Sequence, residues 1–419
     1  MSSMIVEICK RAKVASVKMA KLSSEQKNAA LYQMANALEA NVEKILAANL
    51  LDVEAAKVKN LKASLLDRLS LDQKKIQNMA KELREVGALT DPIGTILSSW
   101  TRPNGLIISQ IRVPLGVIGV IYESRPNVTS DAAGLCIKAG NAVVLRGGTD
   151  ALQSNLVIGK ILQDALSNTD VPTDAIQVVS SPERKVAEEL MRMREYIDVL
   201  IPRGGADLIK TVIEKAKIPV IETGTGNCHI YIDEDADLET ATQIIINAKV
   251  QRPGVCNAAE KILIHQNIAK TYIPKIVTEL HKNNVEIRGD QTVCQIMPNK
   301  EEVKLATEED WYTEYLDLII GIKVVKNLTE AITHINKYGT KHSEAIITKD
   351  FTKATQFLQE IDSTAVYWNA STRFTDGNQF GLGTEIGIST QKLHARGPMS
   401  IQNLTTTKYT ILGNGQTRK

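Results

Sequence analysis

The spacing of apolar residues divides the chain into stretches of different structure. Up to about residue 90, apolar positions recur at helical intervals, as at Leu31, Met34 and Leu38, which predicts amphipathic helices that pack on another layer. Ser23–Gln26 and Ser70–Gln73 each match the capping box that begins a helix. We expect this first stretch to be a scaffold.

A predicted hairpin follows. Ile96–Arg102 and Leu106–Val113 are apolar runs on either side of Pro103–Gly105, and Asn-Gly between two such runs is typical of a tight β-turn. A two-stranded hairpin is only marginally stable alone, so we expect it to pair with something else. The strand-like tail Leu404–Ile411 is the candidate within this chain, and another chain is the alternative.

From residue 114 to 381, short apolar runs alternate with helical stretches. Strands that are nearly continuous runs of Val, Ile and Leu predict parallel sheets buried on both faces. The predicted strands of a first, doubly wound sheet are Val117–Tyr122, Ala142–Arg146, Ile176–Val179, Ile197–Ile201 and Val220–Thr223, with helices that include Ser130–Lys138, Leu152–Leu166 and Asp207–Lys217. Those of a second α/β unit are Ile230–Ile232, Ile262–His265, Leu318–Val325, Ala345–Ile347 and Thr364–Tyr367.

Three loops follow strands of the first sheet, at the edge where ligands of such sheets bind. They are Glu123–Asn127, Arg146–Thr149 and Pro202–Gly205, and each combines an arginine with glycine or proline. Glycine lets backbone N–H groups approach a phosphate, and arginine supplies a planar, permanently charged fork. Together they favour nucleotide binding over three ordinary turns, although no G-x-G-x-x-G motif follows the first strand.

Composition narrows the class of protein. The 419 residues, 43% of them hydrophobic, are enough for two or three domains with a sizeable core. An aromatic content of 4% and a net charge of +2 argue against nucleic-acid binding. We see neither a signal-peptide pattern nor an apolar run long enough to cross a membrane. Five widely spaced cysteines without a C-x-x-C pair indicate a reducing compartment and no metal site, and we expect a cytoplasmic protein.

The most informative stretch is Gln251–Glu260. Pro253 and Gly254 end a helical pattern, so Cys256 is presented from a turn just before an apolar strand. A cysteine in this setting is a candidate nucleophile, and the alternative is a small buried side chain. Glu222 ends an apolar run 34 residues earlier, where a carboxylate can be a general base or a structural cap.

With these residues the chain resembles the aldehyde dehydrogenase superfamily, and within it the γ-glutamyl phosphate reductase (glutamate-5-semialdehyde dehydrogenase) branch. Seven strings in the order of that branch are far more specific than any one of them. They are Glu-Ser-Arg-Pro-Asn-Val (123–128), Leu-Arg-Gly-Gly (145–148), Ile-Pro-Arg-Gly-Gly (201–205), Gln-Arg-Pro-Gly-Val-Cys-Asn-Ala (251–258), His-Ser-Glu-Ala-Ile (342–346), Asn-Ala-Ser-Thr-Arg-Phe-Thr-Asp-Gly (369–377) and Ala-Arg-Gly-Pro-Met (395–399).

The resemblance implies an aldehyde-dehydrogenase-like α/β fold with a parallel, doubly wound cofactor domain, an α/β catalytic domain and a small β oligomerisation arm. The NADPH-binding domain would comprise residues 1–100, 112–223 and 382–394. The catalytic domain would be 224–381, and the arm would be 101–111 with 395–419.

The resemblance also implies roles for single residues. Cys256 is the expected nucleophile and Glu222 the expected base. The residues expected at the cofactor are Arg146 at the adenosine ribose, Gly204 and Gly205 at the pyrophosphate, Glu314 at the nicotinamide ribose, and Ser124. Arg146 stands where the superfamily usually has lysine, and this favours the 2′-phosphate of NADPH.

The groups that bind the substrate are less determined. Ser124 stands where hydrolytic members have an asparagine that binds the oxyanion, so the oxyanion donors are open. The backbone N–H of Cys256 is the first candidate and Asn127 the second. Arg252 and Arg373 are expected to bind the phosphate and carboxylate of the substrate, and salt bridges that shape the turn are the alternative.

The reaction that the resemblance implies is reduction of L-glutamyl 5-phosphate by NADPH to L-glutamate 5-semialdehyde with release of phosphate, through a cysteine thioester. It is the second step of proline biosynthesis from glutamate. The alternatives are a hydrolytic NAD(P)-dependent aldehyde dehydrogenase and a catalytically inactive oligomeric scaffold. The expected partners are the small-molecule substrate, a separate glutamate kinase and further copies of the chain in a homodimer or homotetramer, with no nucleic acid and no membrane.

Overall fold

The computed structural model describes residues 3–61, 63–299 and 301–418. They form two compact units. The first contains the described residues up to Thr223, together with Gly381–Gly387 and those from Met399 onward, and the second contains Gly224–Phe380 and Ile388–Pro398. Residues 388–394, which we expected in the cofactor domain, thus lie in the second unit, where the N–H of Gly224 donates to the carbonyl of Ile388 at 2.8 Å. The roles given to the domains stay predictions.

The first unit opens with helices, continues with a hairpin and then alternates strands and helices. Its helices are α1 (Ser3–Met19), α2 (Ser24–Ala40), α3 (Val42–Val58), α4 (Ala63–Leu69), α5 (Gln73–Ala88), α6 (Val128–Lys138), α7 (Leu152–Leu166), α8 (Arg184–Leu190) and α9 (Ala206–Lys215). Its strands up to residue 223 are β1 (Ile96–Thr101), β2 (Ile107–Pro114), β3 (Val117–Tyr122), β4 (Ala142–Gly147), β5 (Ile176–Val178) and β6 (Val199–Arg203).

One of the two predicted helix starts is confirmed. Ser23 and Gln26 form a reciprocal capping box, with hydrogen bonds of 3.2 and 2.8 Å between side chain and backbone, at the start of α2. The prediction at Ser70 is wrong, because Asp72 caps α5 by accepting from the N–H of Lys75 at 2.7 Å. A carboxylate on the residue before a helix can accept from one of the free N–H groups of the first turn.

The predicted parallel sheet of the first unit is confirmed in the order β5-β4-β3-β6. Its strands β3 and β4 are buried along their whole length. The predicted strand Val220–Thr223 is wrong, since this segment contributes only an isolated bridge between Val220 and Leu200. An apolar run beside a sheet can be buried without forming a ladder.

The second unit is built on a larger parallel sheet with the order β10-β9-β11-β8-β7-β12-β13. The strands of the second unit are β7 (Cys228–Ile232), β8 (Ala259–His265), β9 (Glu286–Gly289), β10 (Lys304–Leu305), β11 (Ile319–Val325), β12 (Ser343–Ile347), β13 (Ala365–Trp368), β14 (Ile388–Ser389) and β15 (Gly397–Pro398), the last two in a separate antiparallel pair. Its helices are α10 (Leu238–Val250), α11 (Gln266–Lys282), α12 (Gln291–Ile296), α13 (Glu308–Tyr312), α14 (Leu328–Tyr338) and α15 (Phe351–Glu360).

Both faces of this larger sheet are covered. Ile262 and Ile264 of β8 belong to one buried cluster, whereas Leu263 between them belongs to another. Side chains of a strand alternate between its faces, so the two clusters lie on opposite faces. The α/β, doubly wound fold class predicted from the sequence is therefore confirmed.

The hairpin β1–β2 has a third strand, β16 (Thr405–Leu412). β16 runs antiparallel to β2 from Thr405 opposite Pro114 to Leu412 opposite Ile107. The pairing expected between the hairpin and the tail is thus present within one chain. No helix in the described ranges is both long and apolar enough to cross a membrane.

Candidate active site

Cys256 lies in the turn between α10 and β8, and its side chain is half-buried. A Cβ atom on Gly226 would overlap the carbonyl oxygen of Cys256, so only glycine allows this packing. The thiol of Cys228 donates to the same carbonyl at 3.1 Å. Burial raises the pKa of Cys228 well above its usual range. Cys228 therefore stays protonated, and Cys256 is the candidate nucleophile of the pair.

Arg252 belongs to the turn that carries Cys256, and Arg373 hydrogen-bonds to that turn. Nε of Arg373 donates to Oε1 of Gln251 at 2.9 Å, and its Nη1 donates to the side-chain oxygen of Asn257. Burial lowers the pKa of Arg373, the charge of Arg252 lowers it further, and the charge of Cys256 opposes this change. The structure thus brings Arg373 within electrostatic range of both, where cations favour a thiolate and attract an anion. The bonds to Gln251 and Asn257 show that Arg373 also shapes the turn.

Glu314 lies in the loop between α13 and β11. Its Oε1 accepts a hydrogen bond from the N–H of Gly226 at 2.6 Å. Since Gly226 also packs on the carbonyl of Cys256, Glu314 and the candidate nucleophile contact the same glycine. The sequence patterns did not single out Gly226, and the glycine-rich run 224–226 was the only signal for it.

The segment 342–346, one of the sequence motifs, is buried and is linked to the cysteine turn by hydrogen bonds. Oγ of Ser343 is 2.6 Å from Oγ1 of Thr375, and the carbonyl of Thr375 accepts from Nδ2 of Asn257 at 2.9 Å. Nδ1 of His342 lies 2.8 Å from Oγ of Ser343. These hydrogen bonds connect β12 to the cysteine turn through Thr375 and Asn257.

A group of buried charges adjoins the turn. Nζ of Lys249 lies 3.0 Å from Oε2 of Glu260, and both side chains are fully buried. Burial raises the pKa of Glu260 to about 7 and lowers the pKa of Lys261 to about 8. We had not predicted this group, because an apolar strand that begins with Ala259-Glu260-Lys261 has no distinguishing pattern.

In the first unit, Arg146 is the last residue but one of strand β4 and is almost completely buried. Its Nη2 donates to the carbonyl of Pro182 at 3.0 Å, while its Nε is buried without a hydrogen-bond partner among the described residues. Burial lowers the pKa of Arg146, and the charge of Arg184 lowers it further. A second cation therefore lies close to Arg146 at this edge of the sheet.

Gly204 and Gly205 lie between β6 and the start of α9. The N–H of Gly205 donates to Oε2 of Glu123 at 2.8 Å. A Cβ atom on Gly204 would lie 2.5 Å from the same oxygen. The carboxylate of Glu123 thus stands where a phosphate oxygen would bind a helix N-terminus.

Ser124 and Asn127 lie in the loop between β3 and α6 and are half-buried. Asn127 precedes the first residue of α6, and its Nδ2 donates to Oδ2 of Asp131 at 2.8 Å. The carbonyl of Asn127 accepts from Ser130 and Asp131. The side chain of Asn127 is thus bonded to the first turn of the helix through Asp131 and does not cap its backbone, and its substrate role stays a prediction.

Glu222 is half-buried and lies between two residues that are tied to β6. The N–H of Ile221 donates to the carbonyl of Leu200 at 2.9 Å, and Oγ1 of Thr223 donates to the carbonyl of Pro202 at 2.7 Å. These bonds fix the backbone on both sides of Glu222. The backbone of Glu222 is therefore held at the carboxyl end of the smaller parallel sheet.

Comparison with known proteins identifies the family of this chain. The model of the aldehyde dehydrogenase family matches residues 2–314. γ-Glutamyl phosphate reductases from Caldanaerobacter subterraneus and Dictyoglomus turgidum are 58% and 57% identical, over 99% of this chain and 100% and 99% of theirs. The crystal structure of γ-glutamyl phosphate reductase from Thermotoga maritima, 50% identical, superposes with a TM-score of 0.96 and covers 99% of this chain and 100% of that one. The chain belongs to the γ-glutamyl phosphate reductase family of aldehyde dehydrogenases. It is an oxidoreductase.

Members of the aldehyde dehydrogenase family bind NAD or NADP, and two features of the first unit fit the phosphate groups of such a dinucleotide. The Glu123 carboxylate at the N–H of Gly205 marks an anion site, and the buried Nε of Arg146 is a donor without a partner among the described residues. No group of three His, Cys, Asp or Glu in the described ranges is arranged to hold a metal ion.

Proposed function

We propose that the protein reduces L-glutamyl 5-phosphate to L-glutamate 5-semialdehyde with NADPH and releases phosphate. The observation that carries the proposal is the half-buried Cys256 in a turn that Arg373 holds, within electrostatic range of that arginine, in a chain 58% identical to a γ-glutamyl phosphate reductase. A thiolate close to a guanidinium group is suited to attack an acyl phosphate, which is both electrophilic and doubly charged.

The proposed first step takes place on Cys256. Its thiolate attacks the acyl carbon, a carbon–sulfur bond forms, and the carbon–oxygen bond to phosphate breaks with the electron pair leaving on phosphate. Because phosphate leaves readily as an anion, no strong acid is required. The backbone N–H of Cys256 is the proposed oxyanion donor, and one well-placed donor is worth about 10²–10³ in rate.

The second step reduces the thioester. When bound, NADPH supplies the hydride to the thioester carbon. The resulting oxyanion then collapses, the carbon–sulfur bond breaks, and the Cys256 thiolate is restored with release of the aldehyde. Glu222 is the proposed base that deprotonates the thiol before the cycle begins, either directly or through a water molecule.

Each remaining predicted residue has a place in this proposal. Arg146 would bind the 2′-phosphate, the N–H groups of Gly204 and Gly205 the pyrophosphate, and Glu314 the nicotinamide ribose. Ser124 would adjoin the cofactor. Arg252 and Arg373 would bind the phosphate and carboxylate of the substrate, with Asn127 as a further polar contact.

The proposal also implies partners. Acyl phosphates hydrolyse readily, so a separate glutamate kinase would supply the substrate, and the aldehyde product would enter proline biosynthesis in the cytoplasm. We further propose a homodimer or homotetramer that is assembled through the sheet β1-β2-β16.

The test is the reverse reaction. Purified protein is given glutamate 5-semialdehyde and NADP⁺, with and without inorganic phosphate, and NADPH formation is followed by absorbance. We expect a rate that requires phosphate and is lost in Cys256→Ala, while the matched variant Cys294→Ala, at a cysteine in helix α12, keeps the rate of the unmodified chain.

Two results would count against the proposal. A rate that is indifferent to phosphate would mean that water resolves the thioester, as in a hydrolytic aldehyde dehydrogenase. No rate with NADP⁺ or NAD⁺ would favour an inactive scaffold.

A further inference from the structure

The loop that carries Glu314 has little regular structure of its own. It connects α13 to β11, and Leu316 within it has a φ of +56°. A left-handed conformation is unfavourable for leucine unless surrounding contacts hold it. Groups outside the loop must therefore fix its path.

Glu260 supplies one part of that support. Its two carboxylate oxygens face the N–H groups of Tyr315 and Leu316 at 3.3 and 3.4 Å. Its Oε2 is also 3.0 Å from Nζ of Lys249. A carboxylate that is fully buried can thus hold the strained part of the loop while its own charge is balanced.

Lys261, the next residue of β8, supplies the other part. Its Nζ donates to the carbonyl of Thr313 at 2.7 Å and to Oδ1 of Asn227 at 2.8 Å. Thr313 precedes Glu314, and Asn227 follows Gly226. One ammonium group therefore joins the two neighbours of the Glu314–Gly226 hydrogen bond.

The burial of these charges argues for a specific role. The side chains of Glu260 and Lys261 are both completely inaccessible to solvent, and removing charged groups from water costs more than most ion pairs return. Apolar residues would fill the same space with less loss. Both buried charges hydrogen-bond to the loop that carries Glu314, and Lys261 also bonds to the neighbour of Gly226. This arrangement is better explained by the placement of Glu314 than by stability.

We propose that Lys261, together with Glu260, is a positioning residue that holds the Glu314 carboxylate in place for a ribose hydroxyl of the dinucleotide. This inference rests on the proposed function, because it takes Glu314 as a cofactor ligand. It makes Lys261 important for cofactor affinity although it acts only through the loop.

The chain contains a matched control for this lysine. Lys138 in α6 is equally buried, and its Nζ also donates to one asparagine side chain, that of Asn28 at 2.6 Å, and to one carbonyl, that of Gly87 at 2.7 Å. Lys261→Met and Lys138→Met thus remove the same kind of group from the same kind of site. Only the first should alter cofactor binding.

The experiment is a double-mutant cycle read by equilibrium titration with NADPH, followed by its fluorescence. Lys261→Met should weaken NADPH binding about tenfold, as expected for loss of one charged hydrogen bond, and Lys138→Met should leave it unchanged. In a Glu314→Ala background, Lys261→Met should weaken binding less than about twofold, because the group that it positions is gone. The rate of alkylation of Cys256 by iodoacetamide should stay the same in all variants.

Contrary results are separable. Equal weakening by Lys261→Met with and without Glu314, or weakening by Lys138→Met to the same degree, would overturn the inference and leave the proposed function standing. If Lys261→Met does not fold, Glu260→Gln in the same cycle makes the same prediction. A starting protein that binds neither NADPH nor NADH would overturn the proposed function and the inference with it.

Discussion

Arg373 is more firmly held than Arg252, and this difference makes a prediction. Arg373 is half-buried and bonded to Gln251 and Asn257, whereas Arg252 is exposed. We expect Arg373→Gln to lower kcat/KM for the acyl phosphate by about 10²-fold, since a charged hydrogen bond is worth about 1.5–3 kcal/mol, and Arg252→Gln to lower it by less. Steady-state kinetics with varied substrate would check this order. An equal decrease of kcat/KM in the two variants would mean that the hydrogen bonds of Arg373 to the turn do not increase its contribution to substrate binding.

For Glu123 we predict that a substitution improves binding instead of weakening it. Its carboxylate accepts from the N–H of Gly205, so an incoming phosphate must displace a negative charge from the helix N-terminus. We expect Glu123→Gln to tighten NADPH binding by about twofold to fivefold, because such an interaction is worth about 0.3–1 kcal/mol. Calorimetric titration would measure it, with Glu195→Gln as a control at another exposed glutamate. Weaker binding in Glu123→Gln would show that the carboxylate itself contacts the cofactor.

Several site residues could be proposed from the sequence because the signal is local. Pro253 and Gly254 mark the turn that presents Cys256, and the structure has this turn. Lys261 had no such signal, because its importance depends on Thr313 and Asn227, which are distant in sequence. Contacts of this kind follow from the packing of β8 against a later loop and are absent from any sequence window.

Gly226, just before β7, packs closely on the cysteine turn. This packing predicts the effect of adding one methyl group at Gly226. In Gly226→Ala the new Cβ would overlap the carbonyl of Cys256, and the turn must move. We expect activity to fall at least about 10²-fold, because small displacements of a reacting group have effects of this size. Gly87→Ala is the control: its Cβ would lie at ordinary contact distance, 3.6 Å, from the ring of Tyr32. An active Gly226→Ala enzyme would show that the turn can shift without moving the thiol.

Strand β8 and helix α10 bury a carboxylate whose titration can be followed. Burial raises the pKa of Glu260 to about 7 from its usual 4.5, against the charges of Lys249 on α10 and Lys261 on β8 and with a contribution from Glu314. The folded state therefore binds this proton more tightly than the unfolded state. The stability contributed by Glu260 should fall as pH rises from about 4.5 to about 7 and then level off.

Unfolding by urea at a series of pH values would test this. Subtracting the free energies of unfolding of Glu260→Gln from those of the unmodified chain isolates the contribution of Glu260. A difference that is flat between about pH 4.5 and 7 would mean that the carboxylate is ionised throughout, stabilised fully by its two lysines.

Most strands of both parallel sheets could be read from the sequence, because a buried parallel strand is a short run of Val, Ile and Leu. β3 matches its predicted bounds, Val117–Tyr122. The same reading failed at Val220–Thr223, which is apolar yet forms only one bridge. It also missed β9, Glu286–Gly289, which carries charged residues. Apolar content reports burial, whereas strand pairing depends on neighbours that the sequence does not name.

The three-stranded sheet β1-β2-β16 leaves large apolar side chains on its surface. Trp100 on β1 and Tyr409 on β16 stack edge to face at 6.2 Å, and both are exposed. The order of strands places β1 and β16 at the two edges. Exposed apolar residues on a sheet with open edges are typical of a surface that is covered in an assembly.

Ile411 is the residue through which this assembly can be tested. It is 58% exposed on the edge strand β16, and a lysine there would place a charge in the proposed interface between copies of the chain. We expect Ile411→Lys to lower the molar mass measured by light scattering after size exclusion to that of a smaller species. Leu393→Lys, at a leucine that is 82% exposed in the second unit, makes the same chemical change at a residue that does not belong to the sheet and should leave the molar mass unchanged. If both variants keep the molar mass of the unmodified chain, this sheet does not hold the oligomer together, and the apolar residues of β1 and β16 need another explanation.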